Sequence, residues 1–232
     1  MRQLVCLTML SLCWIAIPII ADDTPRGGET HVLFDGSTLD GWRGRDDLWR
    51  VEGGAIVGTT NDESPIQANT FLISSTTVEG DFELTLQYQI EAGNSGIQYR
   101  SRVLDEEAFV VGGYQADIDS TGRFTGILYE EKGRGILATR GQEVVINAKG
   151  KKQPTTYAAA DDLAKGIHAG EWNDYRIRVR DNRIEHFINE AMMVRVEDQQ
   201  TEKAAKSGVI ALQLHRGPAM TVRFRDLVLR ML

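Results

Sequence analysis

"DFELTLQYQI", residues 81–90, decides the fold. Phe82, Leu84, Leu86, Tyr88 and Ile90 fall on one side of an extended chain, and Glu83, Thr85, Gln87 and Gln89 fall on the other. Successive side chains of a strand point to opposite faces, so this period of two predicts a strand with one side in a core and one in water.

The same period recurs on both sides of this segment. "NDYRIRVRDNRIEHFIN", residues 173–189, alternates around Asp181-Asn182 and predicts a hairpin. "MMVRVED", "SGVIALQLH" and "MTVRFRDLVLRML" follow as three more strands. Upstream, "HVLF", "WRVEGGAIVG" with a Gly53-Gly54 turn, "TFLIS", "GIQYR", "YQADID", "TGILYEE" and "EVVIN" complete the set. Helical spacing is confined to "AAADDLAKG", enough for one or two turns stopped by Gly166. Residues 148–160, "AKGKKQPTTYAAA", read as a long loop. About a dozen short strands with Gly-rich turns predict an all-β fold, a two-sheet sandwich.

The chain has 232 residues, and its first 21 do not belong with the rest. Arg2, an apolar run from Leu4 to Ile20, and Ala21 before "DDTP" read as a signal peptide cleaved after Ala21. The run is shorter than the roughly 20 apolar residues of a spanning helix, so no stable membrane insertion is expected after cleavage. Residues 22–30 read as a flexible lead-in and residues 31–232 as one domain, exported to the periplasm or beyond. Both cysteines, Cys6 and Cys13, lie in the leader, which leaves the mature chain no disulfide, thiol nucleophile or thiolate-bound metal. Roughly 210 residues suffice for a core without cross-links. The net charge of −7 argues against nucleic acid as a partner.

The polar sides of several strands are unusual. Gln115, Asp117 and Asp119 share a face, as do Asn94, Gln98 and Arg100, and as do Gln213 and His215. Solvated sheet faces usually carry Lys, Glu and Thr, whereas these carry planar hydrogen-bonding groups suited to sugar hydroxyls. Tyr129, Glu131 and Arg134 add to them in "TGILYEEKGRGIL". An ordinary solvated face is the competing reading from alternation alone. Asp117 and Asp119, two apart, could hold a divalent ion or simply bond turn backbone. Trp42 and Trp172 read as core or turn anchors. The chain carries no G-x-S-x-G, no phosphate-binding Gly loop, no H-E-x-x-H and no Cys/His zinc pattern.

"LFDGSTLDGW", "NSGIQYR", "GYQADID", "TGILYEEKGRGIL", "GEWNDYRI" with "HFIN", and "ALQLH...VRFRDLVL" occur in that order. On these motifs the chain resembles the 3-keto-disaccharide hydrolase family, also described as 3-keto-glucoside 1,2-lyases and 3-keto-2-hydroxyglucal hydratases. The resemblance runs from about His31 to the C-terminus. It implies a concanavalin A-like, glucanase-type jelly roll with its site in the concave sheet. Many members carry a Glu in the region matching Tyr114-Gln115; here the residue is Gln115, so no catalytic Glu is carried over. Arg216 stands where small or polar residues are usual.

The implied substrate is a 3-keto sugar, supplied by an upstream oxidoreductase that need not touch this protein. No redox cofactor is then required. A C3 ketone acidifies the C2 proton, a base removes it, and the enolate expels the glycosidic oxygen from C1; water can add back. His215 or Asp117 is the expected base, with Arg100 and a divalent cation as the candidate enolate stabilisers. Gln98, Gln115, Tyr129 and Gln213 would bind sugar hydroxyls, and Glu131 and Arg134 would shape the rim. The rival expectation is a non-catalytic, lectin-like module on the same fold. An ordinary glucanase ranks last, because no "E-x-D-x-x-E" is present.

Overall fold

The structure, a computed structural model, describes residues 28–232. The leader reading therefore lies outside the described residues. The described residues fold into two sheets with one short helix. The ten-stranded sheet runs, edge to edge, Lys152–Thr156 (β12), Gln142–Ile146 (β11), Ala191–Asp198 (β15), Arg183–Ile188 (β14), Asn173–Arg180 (β13), Phe82–Ala92 (β6), Thr221–Met231 (β17), Ala55–Thr59 (β4) and Trp49–Glu52 (β3), with Thr30–Val32 (β1) also on β17. The seven-stranded sheet runs Gly135–Ala138 (β10), Leu128–Glu131 (β9), Val110–Asp119 (β8), Asn94–Asp105 (β7), Ser207–Leu214 (β16), Thr70–Glu79 (β5) and Trp42–Arg43 (β2). Pairing is antiparallel throughout except for β11 with β15.

The apolar alternation of β6 places it at the centre of the larger sheet. Leu84 lies opposite Ile177 on one side and Leu229 on the other. This row packs against Ile97, Tyr99, Ile118, Leu212 and Leu214 of the smaller sheet, all fully or nearly fully buried. Between the sheets sits His186, whose ring nitrogens meet the hydroxyls of Tyr99 (2.7 Å) and Tyr175 (3.3 Å). Burial lowers its pKa to about 3, so it stays neutral.

Two expectations change. The segment 148–160 is not all loop, because β12 lies inside it, with Pro154 opposite Val144. This strand is at the sheet edge and is mostly exposed, so it carries no apolar alternation, and its proline needs no ladder N–H. The lead-in also ends earlier than expected: Thr30 already pairs with Arg230, and the N–H of Met231 donates to the carbonyl of Glu29 (2.9 Å). The helix at Ala160–Ala164 (α1) falls where the spacing puts it. No helix among the described residues is long and apolar enough to cross a membrane.

The face of the smaller sheet turned away from the core is divided. At one end Phe71, Ile73, Val111 and Ala211 form a separate apolar cluster with Val103, Phe109 and Val209 packed on it. Phe109, at a φ of 51°, bends the β7–β8 hairpin back, and its carbonyl accepts the N–H of Phe71 (3.0 Å). What stays open is the polar end of the face, and the candidate site lies there.

Candidate functional site

A groove of about 1130 Å³ opens at that end. Its floor comes from β8 and β16 through Gln115, Asp117 and Gln213, and its walls include Tyr129, Glu131, His215 and Asn69. The expected alternation of these strands is what gathers them, since residues of equal parity on neighbouring strands share a face.

The floor is a chain of amides ending on a carboxylate. The Nε2 of Gln98 donates to Oε1 of Gln115 (2.6 Å), and Nε2 of Gln115 donates to Oδ1 of Asp117 (2.5 Å). The same Gln115 nitrogen reaches Oε1 of Gln213 at 3.3 Å. Each amide fixes the orientation of the next, because only one end of each can donate. Two ends of this chain, Oε1 of Gln98 and Nε2 of Gln213, are buried without a partner. Gly96, opposite Asp117 on β7, makes the arrangement possible. A Cβ there would lie 2.6 Å from the Gln115 side chain, so Gln115 could not reach across to Asp117.

Asp117 is 6 % exposed and has no cation beside it among the described residues. Burial pushes its pKa up to about 7; the Gln115 hydrogen bond opposes this, while Glu131 and Asp119 reinforce it. A carboxyl poised near neutrality can both take and return a proton. Tyr129 lies close enough to Asp117 and Glu131 for both to act on it; burial first, then these two carboxylates, raises its pKa. Its phenol therefore remains a hydrogen-bond donor.

His215 is half-buried at the groove wall, and its Nδ1 lies 2.5 Å from the carbonyl of Arg216. A carbonyl can only accept, so Nδ1 carries the proton and a neutral ring leaves Nε2 bare. Asn69, which no sequence signal singled out, ties this wall together. Its Nδ2 donates to Oε1 of Glu131 (3.1 Å), and its Oδ1 accepts the N–H of Arg216 (3.0 Å).

Three expectations about the site do not hold in the geometry. Arg100 does not face the groove. A bulge after Tyr99, with Arg100 at a φ of 45°, breaks the alternation and turns the side chain to the carbonyls of Gly80 (2.6 Å), Asp181 (2.8 Å) and Ala205 (3.3 Å). Arg134 does not shape the rim. It is clamped between Glu130 (2.7 Å) and Asp198 (2.6 Å), and Tyr114 donates to the same Asp198 (2.6 Å). Gln98 lies beneath Gln115 rather than on the groove wall.

Asp119 is committed to its own turn rather than to an ion shared with Asp117. Its two oxygens accept the backbone N–H of Thr121 (2.8 Å) and of Phe124 (2.7 Å), and so staple the following turn. Among the described residues no three His, Cys, Asp or Glu side chains converge to hold a metal. The donor set therefore does not fit the expected divalent cation, and no step below passes through one.

Residues 29–230 match the domain family described as 3-keto-alpha-glucoside-1,2-lyase-like. No curated protein matches the sequence. Among solved structures, a protein from Parabacteroides distasonis described as a candidate glycosyl hydrolase superposes with a TM-score of 0.59 at 16% identity, over 88% of this chain and 100% of that one. A carbohydrate-binding module from Bacillus subtilis gives 0.53 at 14%, over 81% and 93%. The β-glucanase of Bacillus licheniformis gives 0.52 at 10%, over 89% and 99%. At these identities the likeness is one of fold: this is the jelly-roll sandwich of glucanases.

Proposed function

The chain belongs to the 3-keto-alpha-glucoside-1,2-lyase-like family, and from that premise we propose that it cleaves 3-keto-glucosides by elimination, with Asp117 as the base. The observation that carries the reading is Asp117 itself, a carboxylate without a cation, buried in a groove and held near neutrality.

Ionised Asp117 takes the proton from C2 of the sugar. The electrons of that C–H bond form the C2–C3 double bond, and the negative charge moves to the C3 oxygen. The O–H of Tyr129, on the groove wall, would donate to that charge, the role first expected of Arg100. The enolate then re-forms the ketone and a C1–C2 double bond, expelling the glycosidic oxygen. That oxygen takes the proton that Asp117 removed from C2, and the bare Nε2 of His215 would accept a proton from the water that adds. Addition of water, hydroxyl to C1 and proton to C2, makes the net reaction hydrolysis. No oxidant enters, since an oxidoreductase acting earlier would have made the ketone. The leader sequence supports an exported enzyme.

The test is to incubate the protein with a 3-keto-glucoside and with the same glucoside unoxidised, with and without a chelator. Turnover of the keto substrate alone is expected. His215→Ala is expected to lower it by about a hundredfold, the scale of a lost general base. Glu131 acts electrostatically on Asp117, and that proximity favours one second reading, ordinary acid–base hydrolysis by two carboxylates. That reading requires turnover of the unoxidised glucoside. Binding of sugars with no turnover of either substrate would leave a lectin-like module.

A further inference from the structure

A second cavity, of about 380 Å³, lies on the far side of the turn that Asp119 staples. The groove and this cavity share Asp119, Ser120, Thr121 and Arg123, so one turn walls both. The cavity lies beside the inter-sheet core at one end of the sandwich, next to α1 and the segment 167–171. Its inner wall holds Tyr88, from the core side of β6, and Arg140.

Tyr88 is only 1 % exposed, and its hydroxyl has no hydrogen-bond partner. The other buried tyrosines of this core behave differently: Tyr99 and Tyr175 meet His186, and Tyr114 donates to Asp198. A buried hydroxyl left unpaired is costly, and such groups in native proteins usually mark a missing partner. Arg140 sits within electrostatic reach of Tyr88. Its Nε and Nη1 donate to the carbonyls of Ala160 (2.9 Å), Gly122 (2.9 Å) and Thr125 (2.6 Å), while Nη2 donates to none of the described residues. The inner wall of the cavity thus holds a hydroxyl and a guanidinium nitrogen with no partner among the described residues.

The charge of the lining selects the ligand. Arg123 and Arg140 are opposed by Asp119, Asp161 and Glu171, so the cavity has no net positive charge to hold an anion. Asp161 and Glu171 are exposed at the mouth, where carboxylates accept hydroxyl protons. Donors inside, acceptors outside, and a volume at the small end of ligand pockets suit one neutral polyhydroxyl ring. We infer that this cavity is a second sugar site, taking a single unoxidised hexose ring with its oxygens toward Tyr88 and Arg140. It is separate from the groove and does not depend on the elimination reaction.

D-Glucose is the probe, titrated into the protein by calorimetry and ligand-observed NMR, with D-glucuronate alongside. Tyr88→Phe should weaken the glucose event at least tenfold, and Ala164→Phe, which fills the cavity from α1, should abolish it. Asp117→Asn, in the groove, should leave it in place, so the result stands whether or not any keto sugar is turned over. Equal glucose affinity in the parent and both cavity variants overturns the inference and makes the unpaired hydroxyl a packing defect. Tyr88-dependent preference for glucuronate overturns the neutral class of ligand. If Tyr88→Phe does not fold, Ala164→Phe decides alone: retained glucose binding refutes the site.

Discussion

Asp117 and Glu130 are carboxylates of the same stretch, "VGGYQADIDSTGRFTGILYEEKGRGIL", on adjacent strands, and both are almost buried. Their surroundings are opposite. Glu130 accepts Nε of Arg134 at 2.7 Å and Nη2 at 3.0 Å, and Arg134 goes on to Asp198 and stacks over Tyr114. That knot is paired at every charge. Asp117 meets only the neutral amide of Gln115 and feels further carboxylates nearby. A buried carboxylate with its cation holds strands together. One without a cation keeps its proton to about neutral pH and is free to move it.

The strongest challenge to this contrast is Asp117→Asn. Turnover of a 3-keto-glucoside should fall by at least about a hundredfold. Thermal stability should move the other way. The folded carboxyl titrates near 7 and the unfolded one near 3.8, so between those pH values the native state binds more protons. Stability is therefore lost as pH rises through that window, by an upper limit of about 4 kcal/mol. The neutral amide does not bear this cost, so the variant should melt several degrees above the parent at pH 8 and close to it at pH 4. A lower melting temperature at pH 8 would show that Asp117 is structural after all.

Arg134→Met tests the other pole. Removing the cation strands Glu130 and Asp198 in the interior, a loss of about 3–5 kcal/mol. Denaturant unfolding should show it, with turnover per folded molecule retained. Unchanged stability would dissolve the distinction between the two carboxylates.

The pH profile is a subtler measure. Activity of the parent should rise with pH through an acidic limb near 7, as Asp117 ionises. A limb near pH 4 would mean that another group is the base. The smallest effect belongs to Gln98→Leu. Without the Gln98 donor, Gln115 no longer has to turn its Nε2 toward Asp117. The hydrogen bond that favours the ionised form weakens, and the acidic limb should move upward by a fraction of a pH unit. A merely structural Gln98 would lower stability and leave the limb where it is.

Much of this was readable in the chain. Alternation placed Gln115 and Asp117 on one face of β8 and Gln213 and His215 on one face at the end of β16, and all four line the groove. Arg100 was misread because alternation assumes an unbroken ladder. The register slips between Tyr99 and Arg102 on β7 and between Val209 and Ala211 on its partner, and nothing local announces a bulge. Arg134 lies in a turn, where parity says nothing. Asn69 precedes its strand in "QANTFLIS" and joins Glu131 to Arg216, a contact across distant segments that spacing cannot encode. Pro154 hid an edge strand, because edges lack the apolar face that signals a strand.

By itself, then, the sequence determined the sandwich and the sidedness of its strands, because side-chain parity is a local property of extended backbone. Tertiary structure alone decided which carboxylate is paired. Asp198 reaches Arg134 across 64 residues of chain to share it with Glu130, while Asp117 is left against an amide, and both outcomes depend on which strands the fold sets side by side and how much water it removes from them.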